Sequence, residues 1–443
     1  MTIDTTPNLF VPGVEKLEPE LEATIARRQQ VMGASYRLNY SKPLHFVRGE
    51  GVWLYHKDGT PYLDFYNNVA SLGHCHPRVV DAMAEQARTL CVNTRYLYDS
   101  VIEYSERLLA TFPAELSRVV FACTGSEAND AACRIAENAT GGDGYIVSDF
   151  AYHGTTMAVA RLSSNLGPTV PLGRTVWTVM PPHTIGRTDA EAAEAFTAEV
   201  KAALAEMKRR GVKPAALLID SIFSSDGVYS DPKGAIKEAV EAVRAEGGLF
   251  IADEVQGGFA RTGESMWSFS RHGVIPDIVT LGKPMGNGYP MSGVVARAEL
   301  IEKFGANARY FNTFAGNSVA AANGLAVLDV IRDEELLQNA QIQGAKLGQL
   351  LADAGDERIA QVRGSGLYWG VEIRDTSTGA KDGHTARAIV NAMRERNVLI
   401  SLTGRYEHVL KVRPPLVVRD QEIDRFIETF RDVLRNVSSK VNA

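Results

Sequence analysis

Across the middle of the chain, short apolar runs rich in β-branched residues alternate with stretches whose apolar side chains recur at helical spacing. Residues 118–122, 145–147, 215–220, 249–253 and 278–281 read as strands, and residues 127–137 and 235–246 as amphipathic helices. Strands that are apolar along their whole length and separated by helices predict a mostly parallel sheet covered on both faces. The expected class is α/β.

After about Asn317 the pattern lengthens: helices are expected over residues 320–331, 334–354 and 422–434, with a strand at 367–373. Near the start, Asp58-Gly59-Thr60-Pro61 stands between two apolar runs within residues 51–65, which is a hairpin signal. A chain of 443 residues exceeds what one core usually organises. The expected division is an N-terminal segment, 1–65, joining a small domain, then a large domain, 66–318, and the small C-terminal domain, 319–443. Gly364-Ser365-Gly366 with Gly370 imitates a dinucleotide fingerprint, but its last gap is one residue too long and a strand follows where a helix should. A tight turn feeding a strand fits better.

The 47 basic and 53 acidic side chains leave a net charge of −6 with no long run of either sign, which points away from nucleic acid and anionic membranes as partners. The longest apolar runs, such as residues 215–219, are of strand length, so no membrane span is expected. Residues 1–12 hold no basic region followed by an apolar run; no signal peptide is read there, and a cytoplasmic address is expected. Cys75, Cys91, Cys123 and Cys133 match neither a zinc motif nor a disulfide framework, and His74-Cys75-His76 lacks a second ligand pair, so no metal site is expected.

Four features fit one chemistry. Thr124-Gly125-Ser126-Glu127-Ala128-Asn129 is a small-residue loop between a strand and a helix, where free N–H groups at the helix start, unobstructed at Gly125, suit a phosphate, although a plain Ser N-cap would account for it too. Asp253 ends an apolar run at the carboxyl edge of the sheet, where α/β proteins bind ligands. Its burial calls for a cationic partner, either a protonated pyridine nitrogen or a local arginine such as Arg261. Lys283 follows the next strand and precedes Pro284-Met285-Gly286-Asn287-Gly288; desolvation there lowers its pKa and frees an amine able to form a Schiff base. Tyr152-His153-Gly154 sets an aromatic ring at a strand edge, where it could cover a planar cofactor. Together they predict a pyridoxal 5′-phosphate enzyme that handles a primary amine.

These residues, with Gly73-His74-Cys75-His76-Pro77, the run from Phe250 to Gln256 and the run from Phe311 to Asn317, resemble the class III aminotransferases over nearly the whole chain. The resemblance implies a fold-type I pyridoxal-phosphate transferase. It implies that Lys283 carries the cofactor, that Asp253 pairs with its ring nitrogen, that Tyr152 lies over the ring, and that Gln256 stands near its phenolic oxygen. Gly125 and Ser126 would hold the phosphate, with Thr313 reaching it from a neighbouring subunit, so a homodimer with shared sites is expected. Arg413 matches the position where amino-acid aminotransferases of the family grip a carboxylate, and its guanidinium suits a phosphate equally well. Tyr98 is a candidate for the substrate pocket wall.

The resemblance implies transfer of an amino group from a primary amine or amino acid to a keto acid such as pyruvate. The alternative is elimination of phosphate from an amino-alcohol phosphate such as ethanolamine phosphate. Tyr66-Asn67-Asn68-Val69-Ala70 and Thr94-Arg95-Tyr96-Leu97 are similar to that phospho-lyase branch, whereas the animal lyases have Lys at the position of Arg413, which leans toward transamination. Many aminotransferases of the family have Glu-Pro where Asp220-Ser221 stands, and a gating Glu near Ser225, where Ser224-Ser225-Asp226 stands; glutamate is therefore not expected as amino donor. A non-catalytic cofactor-binding scaffold would be expected to lose Lys283 or Asp253, and both are present.

Overall fold

The computed structural model describes residues 8–67 and 69–437. Asn68, part of the motif shared with the lyase branch, lies outside them, as do the first seven residues of the segment read for a signal peptide.

Seven strands form the central sheet in the spatial order Leu116–Ala122, Ser292–Arg297, Ile278–Leu281, Leu249–Asp253, Pro214–Ile219, Gly144–Ser148 and Val176–Val179. All neighbours run parallel except around Ser292–Arg297, which is antiparallel to both of its partners. Residues 282–291, which include the short helix Lys283–Gly286, connect that strand to Leu281, fewer than the dozen or more a parallel crossover needs. Strands read as continuously apolar are buried on both faces: Ala216 and Leu218 pack with the helix Gly125–Thr140, while Leu217 and Ile219 join the core beneath Asp189–Arg209 and Lys237–Ala245. The period-two alternation of a strand thus serves two apolar layers, and it erases the polar-out signal that a one-sided sheet would show.

The C-terminal region forms an antiparallel sheet of Ile359–Ser365, Tyr368–Ile373, Val409–Val412 and Ser401–Thr403. Gly366 makes the hairpin between the first two strands with φ +53°, so the glycine-rich run is a turn between strands. The expected hairpin near the start pairs Trp53–His56 with Pro61–Asp64, and Val398–Leu399 adds to its edge in parallel, tying the N-terminal segment to the C-terminal part of the chain. No helix among the described residues is long and apolar enough to cross a membrane.

Candidate active site

The carboxyl ends of the parallel strands converge on a cavity of about 300 Å³ lined by Gly125, Ser126, Tyr152, Asp253, Gln256 and Lys283 among others. Six of the nine residues singled out from the sequence therefore meet in one place, although they are spread over more than 150 positions.

At one end of the cavity lies the N-terminus of the helix Gly125–Thr140. Its cap is Thr124: the Thr124 Oγ1 accepts from the Glu127 N–H at 3.2 Å, and the Glu127 carboxylate accepts from the Thr124 and Cys123 N–H groups at 3.1 and 2.8 Å. This capping box and the Ala128 N–H bond to the Thr124 carbonyl consume the other donors of the first turn and leave the N–H groups of Gly125 and Ser126 for a ligand. A Cβ on Gly125 would come within 3.2 Å of Val255, so the bare backbone is what fits here. The Ser126 hydroxyl accepts from the Thr155 N–H at 3.0 Å, and Gly154 lies against Ser126 at φ +140°.

Asp253 forms the floor and is only 4% exposed. One of its oxygens accepts from Asn129 Nδ2 at 2.9 Å and from His153 Nδ1 at 2.8 Å; the other accepts from the Val255 N–H at 3.1 Å. Asn129 is fixed in turn by Thr280, whose hydroxyl donates to its Oδ1 at 2.8 Å. His153 buries Nε2 without a hydrogen-bond partner among the described residues. No Lys or Arg among the described residues pairs with Asp253. Arg261, the alternative partner considered from sequence, donates instead to the carbonyls of Leu367 and Pro414. A buried carboxylate without a Lys or Arg partner is suited to a cationic group on a ligand.

Lys283 stands beyond the strand Ile278–Leu281 at φ +28°. Burial lowers its pKa; Asp253 opposes the shift, and Arg413 and Lys411 reinforce it. Burial likewise raises the Tyr152 phenol, with Asp253 adding to the shift.

Gln256 is engaged on both sides. Its Nε2 donates to Ser224 Oγ at 2.5 Å, while its Oε1 accepts from Arg413 Nη1 at 2.8 Å and from the Tyr368 hydroxyl at 3.1 Å. Arg413, 5% exposed, also donates to the Tyr66 carbonyl through Nε and Nη2 at 3.0 and 2.7 Å and to the Tyr368 hydroxyl at 3.0 Å. All of these acceptors are neutral, and no carboxylate pairs with Arg413 among the described residues. The serine run at 224–225 thus leaves the guanidinium without an internal counter-ion.

The remaining two candidates lie apart from the cavity. Tyr98 is buried and donates its hydroxyl to the Gly316 carbonyl, which ties the start of the helix Asp99–Leu109 to the loop before Ser318–Asp333. Thr313 is exposed and borders a separate hollow with Arg134, Thr156 and Arg309. His74 and His76, considered for metal, instead face Asp64 and Glu334 at 2.8 and 3.0 Å. Sequence reading gave no role to Asn129, His153 or Lys411. Asn129 had a usable signal: it follows Gly125 by four positions, one helical turn, and so shares its face.

A doubly covered, mostly parallel sheet with a lysine, a carboxylate and an open helix start around one cleft defines a fold-type I pyridoxal-phosphate enzyme. Residues 36–434 match the aminotransferase class-III family; the chain belongs to that family, whose members depend on pyridoxal phosphate. A Drosophila melanogaster protein named alanine–glyoxylate aminotransferase 2-like is 37% identical over 440 residues, covering 94% of this chain and 87% of the relative. A Caenorhabditis elegans protein named ethanolamine-phosphate phospho-lyase homolog 1 is 34% identical, with 93% of each chain covered. Among solved structures, a phospholyase from Arthrobacter in complex with phosphoethanolamine superposes with a TM-score of 0.91 at 40% identity, covering 94% of this chain and all of that one. Aminotransferase and phospho-lyase names thus both occur among the relatives.

Proposed function

We propose that this chain eliminates phosphate from a small amino-alcohol phosphate, releasing with water an aldehyde, ammonia and phosphate. The observation that carries this reading is Arg413, buried and held only by neutral oxygens. An aminotransferase that alternates between substrates with and without a second anionic group needs an acid to neutralise that arginine in one half of its cycle; a lyase meets one anionic substrate and needs no such gate. The 34% identical lyase homologue and the Arthrobacter phospholyase support the same reading.

Pyridoxal phosphate, when bound, supplies a carbonyl that condenses with amines and a ring that accepts electrons. The N–H groups of Gly125 and Ser126 would hold its phosphate, and Tyr152 and Gln256 would contact its ring. Asp253, kept in place by Asn129 and His153, maintains the proton on the ring nitrogen. Lys283 is the residue that would hold the cofactor. Its lowered pKa then provides a neutral amine that takes the proton from the amine-bearing carbon. Arg413 holds the substrate anion so that this proton faces Lys283.

Transamination remains the second reading because of the 37% identical relative: alanine and glyoxylate both carry a carboxylate, so that exchange needs no gate either. The test is to give the holoenzyme ethanolamine phosphate alone and, separately, alanine with glyoxylate or pyruvate. Phosphate release without a keto acid supports the lyase; amine transfer without phosphate release rejects it.

The wider reading is a cytoplasmic homodimer divided as 1–65, 66–318 and 319–443, with Thr313 serving the partner's site. In support of the dimer, the large apolar side chains Leu97 and Phe314 are 95% and 72% exposed, and Arg95 stacks over Phe311 at 3.7 Å, bringing their two segments together.

A further inference from the structure

Lys411 lies on the strand Val409–Val412 and Arg413 directly follows it, so the two alternate positions project toward the same face, with roots roughly 7 Å apart. The cross-strand partners of Lys411 are Gly370 and Ser401, and Val228 and Val409 pack over the bare face of Gly370. Among the described residues neither Lys411 nor Arg413 forms an ion pair. The charged or titratable groups that Lys411 faces are Arg413, the Tyr66 phenol and Asp220, and its charge also reaches Lys283. Arg261, buried nearby, is itself pushed down to about 9 by burial and by Arg413, and it keeps one nitrogen without a partner. Positive charge is therefore gathered on one side of the site; the acids that reach it are Asp220, beside Lys411, Asp64, beside Arg261, and Asp253, beside Lys283. Asp220 is itself shifted toward its neutral form by burial and by Asp253.

We propose that Lys411 and Arg413 together form a dianion subsite, which makes a phosphate monoester rather than a carboxylate the anion this enzyme selects. The inference rests on the reading of Arg413 as the substrate's anion grip and adds a specificity-determining residue to it. A dianion can satisfy the buried Arg413 guanidinium and the partly buried Lys411 ammonium together, whereas a carboxylate leaves one of them unpaired. Burial and Arg413 hold the Lys411 ammonium at about 8, so it is mostly charged near neutrality and empties as pH rises beyond that value. Phosphate affinity should fall over the same interval.

The test measures binding of inorganic phosphate and of acetate to the holoenzyme by calorimetry, in the wild type, Lys411→Met and Lys411→Arg. The expected result is roughly tenfold or greater weakening of phosphate by Lys411→Met, under about threefold weakening of acetate, and retention of phosphate by Lys411→Arg. The wild type should lose phosphate affinity above about pH 8, and Lys411→Met should lack that step. Unchanged phosphate binding in Lys411→Met, or equal weakening of both anions, overturns the subsite. Should Lys411→Met fail to fold, the wild-type pH profile and Lys411→Arg decide: a profile flat through pH 8 to 9, or loss of phosphate in Lys411→Arg, rejects it. The two readings fail separately. Lysis that tolerates Lys411→Met removes the subsite alone, whereas Lys411-dependent phosphate binding in an enzyme that never releases phosphate removes the lyase alone.

Discussion

Asn129 donates to Asp253 at 2.9 Å from the same helix whose first turn presents the N–H groups of Gly125 and Ser126. One rigid element thereby sets the distance between the open helix start and the buried carboxylate. Removing the bond should loosen the carboxylate without touching the lysine. For Asn129→Ala we expect cofactor affinity to fall roughly tenfold, as befits one lost hydrogen bond to a charged group, with the fold retained. Titration of apoenzyme with pyridoxal phosphate measures it; unchanged affinity would deny Asn129 its positioning role.

Lys283→Ala should abolish both the visible absorbance of covalently held cofactor and turnover. The cofactor should still bind through its other contacts, so a residual spectrum of free aldehyde is expected. Retention of the wild-type absorbance and activity would remove Lys283 from its assigned place.

Gly154→Ala tests the support beneath Ser126. A Cβ there would stand 2.5 Å from Ser126 Oγ and 2.7 Å from its Cα, in a backbone conformation at φ +140° that other residues rarely adopt. The expected cost is about 1–3 kcal/mol of stability together with weaker cofactor binding, read by denaturant unfolding and by titration. A variant as stable as the wild type would show that the loop can move aside freely.

Glu254, next to Asp253 but facing the opposite way, accepts from the Ser268 N–H and hydroxyl, the Phe269 N–H and the Ser221 hydroxyl at 2.7 to 3.0 Å. Burial pushes its carboxyl up to about 7. A folded-state pKa above the ordinary 4.5 means that the folded form takes up the proton first, so this group's stabilising contribution is complete below 4.5 and fades as pH rises to about 7. Glu254→Gln should cost about 1–3 kcal/mol by aiming an amide donor at one of these donors. The gap from the wild type should narrow between about pH 5 and about pH 8. A gap that stays constant in unfolding measurements would place the titration of Glu254 elsewhere.

Most of the central sheet is legible in the sequence, because strands buried on both faces must be apolar throughout and helices between them must be amphipathic. The predicted strand at 278–281 and helix at 127–137 appear as Ile278–Leu281 and Gly125–Thr140. The antiparallel strand Ser292–Arg297 escaped notice, since its direction follows from the brevity of the turn before it. So did the 21-residue helix Asp189–Arg209, an element whose alanine-rich stripe gives little contrast between its faces.

Local chemistry in this chain is written locally: a glycine at a helix start, an acid at a strand end and a lysine before a tight turn each announce a role by neighbours a few positions away, because backbone donors, strand edges and desolvation are short-range causes. What no local pattern could announce is which distant groups complete them. His153 meets Asp253 across 100 positions, Arg413 meets Gln256 across 157, and Lys411 shares its wall with Asp220 from another sheet. Those pairings depend on strand order within the central sheet and on how the two sheets pack, and both are settled by the summed burial of many apolar side chains rather than by the polar residues they bring together.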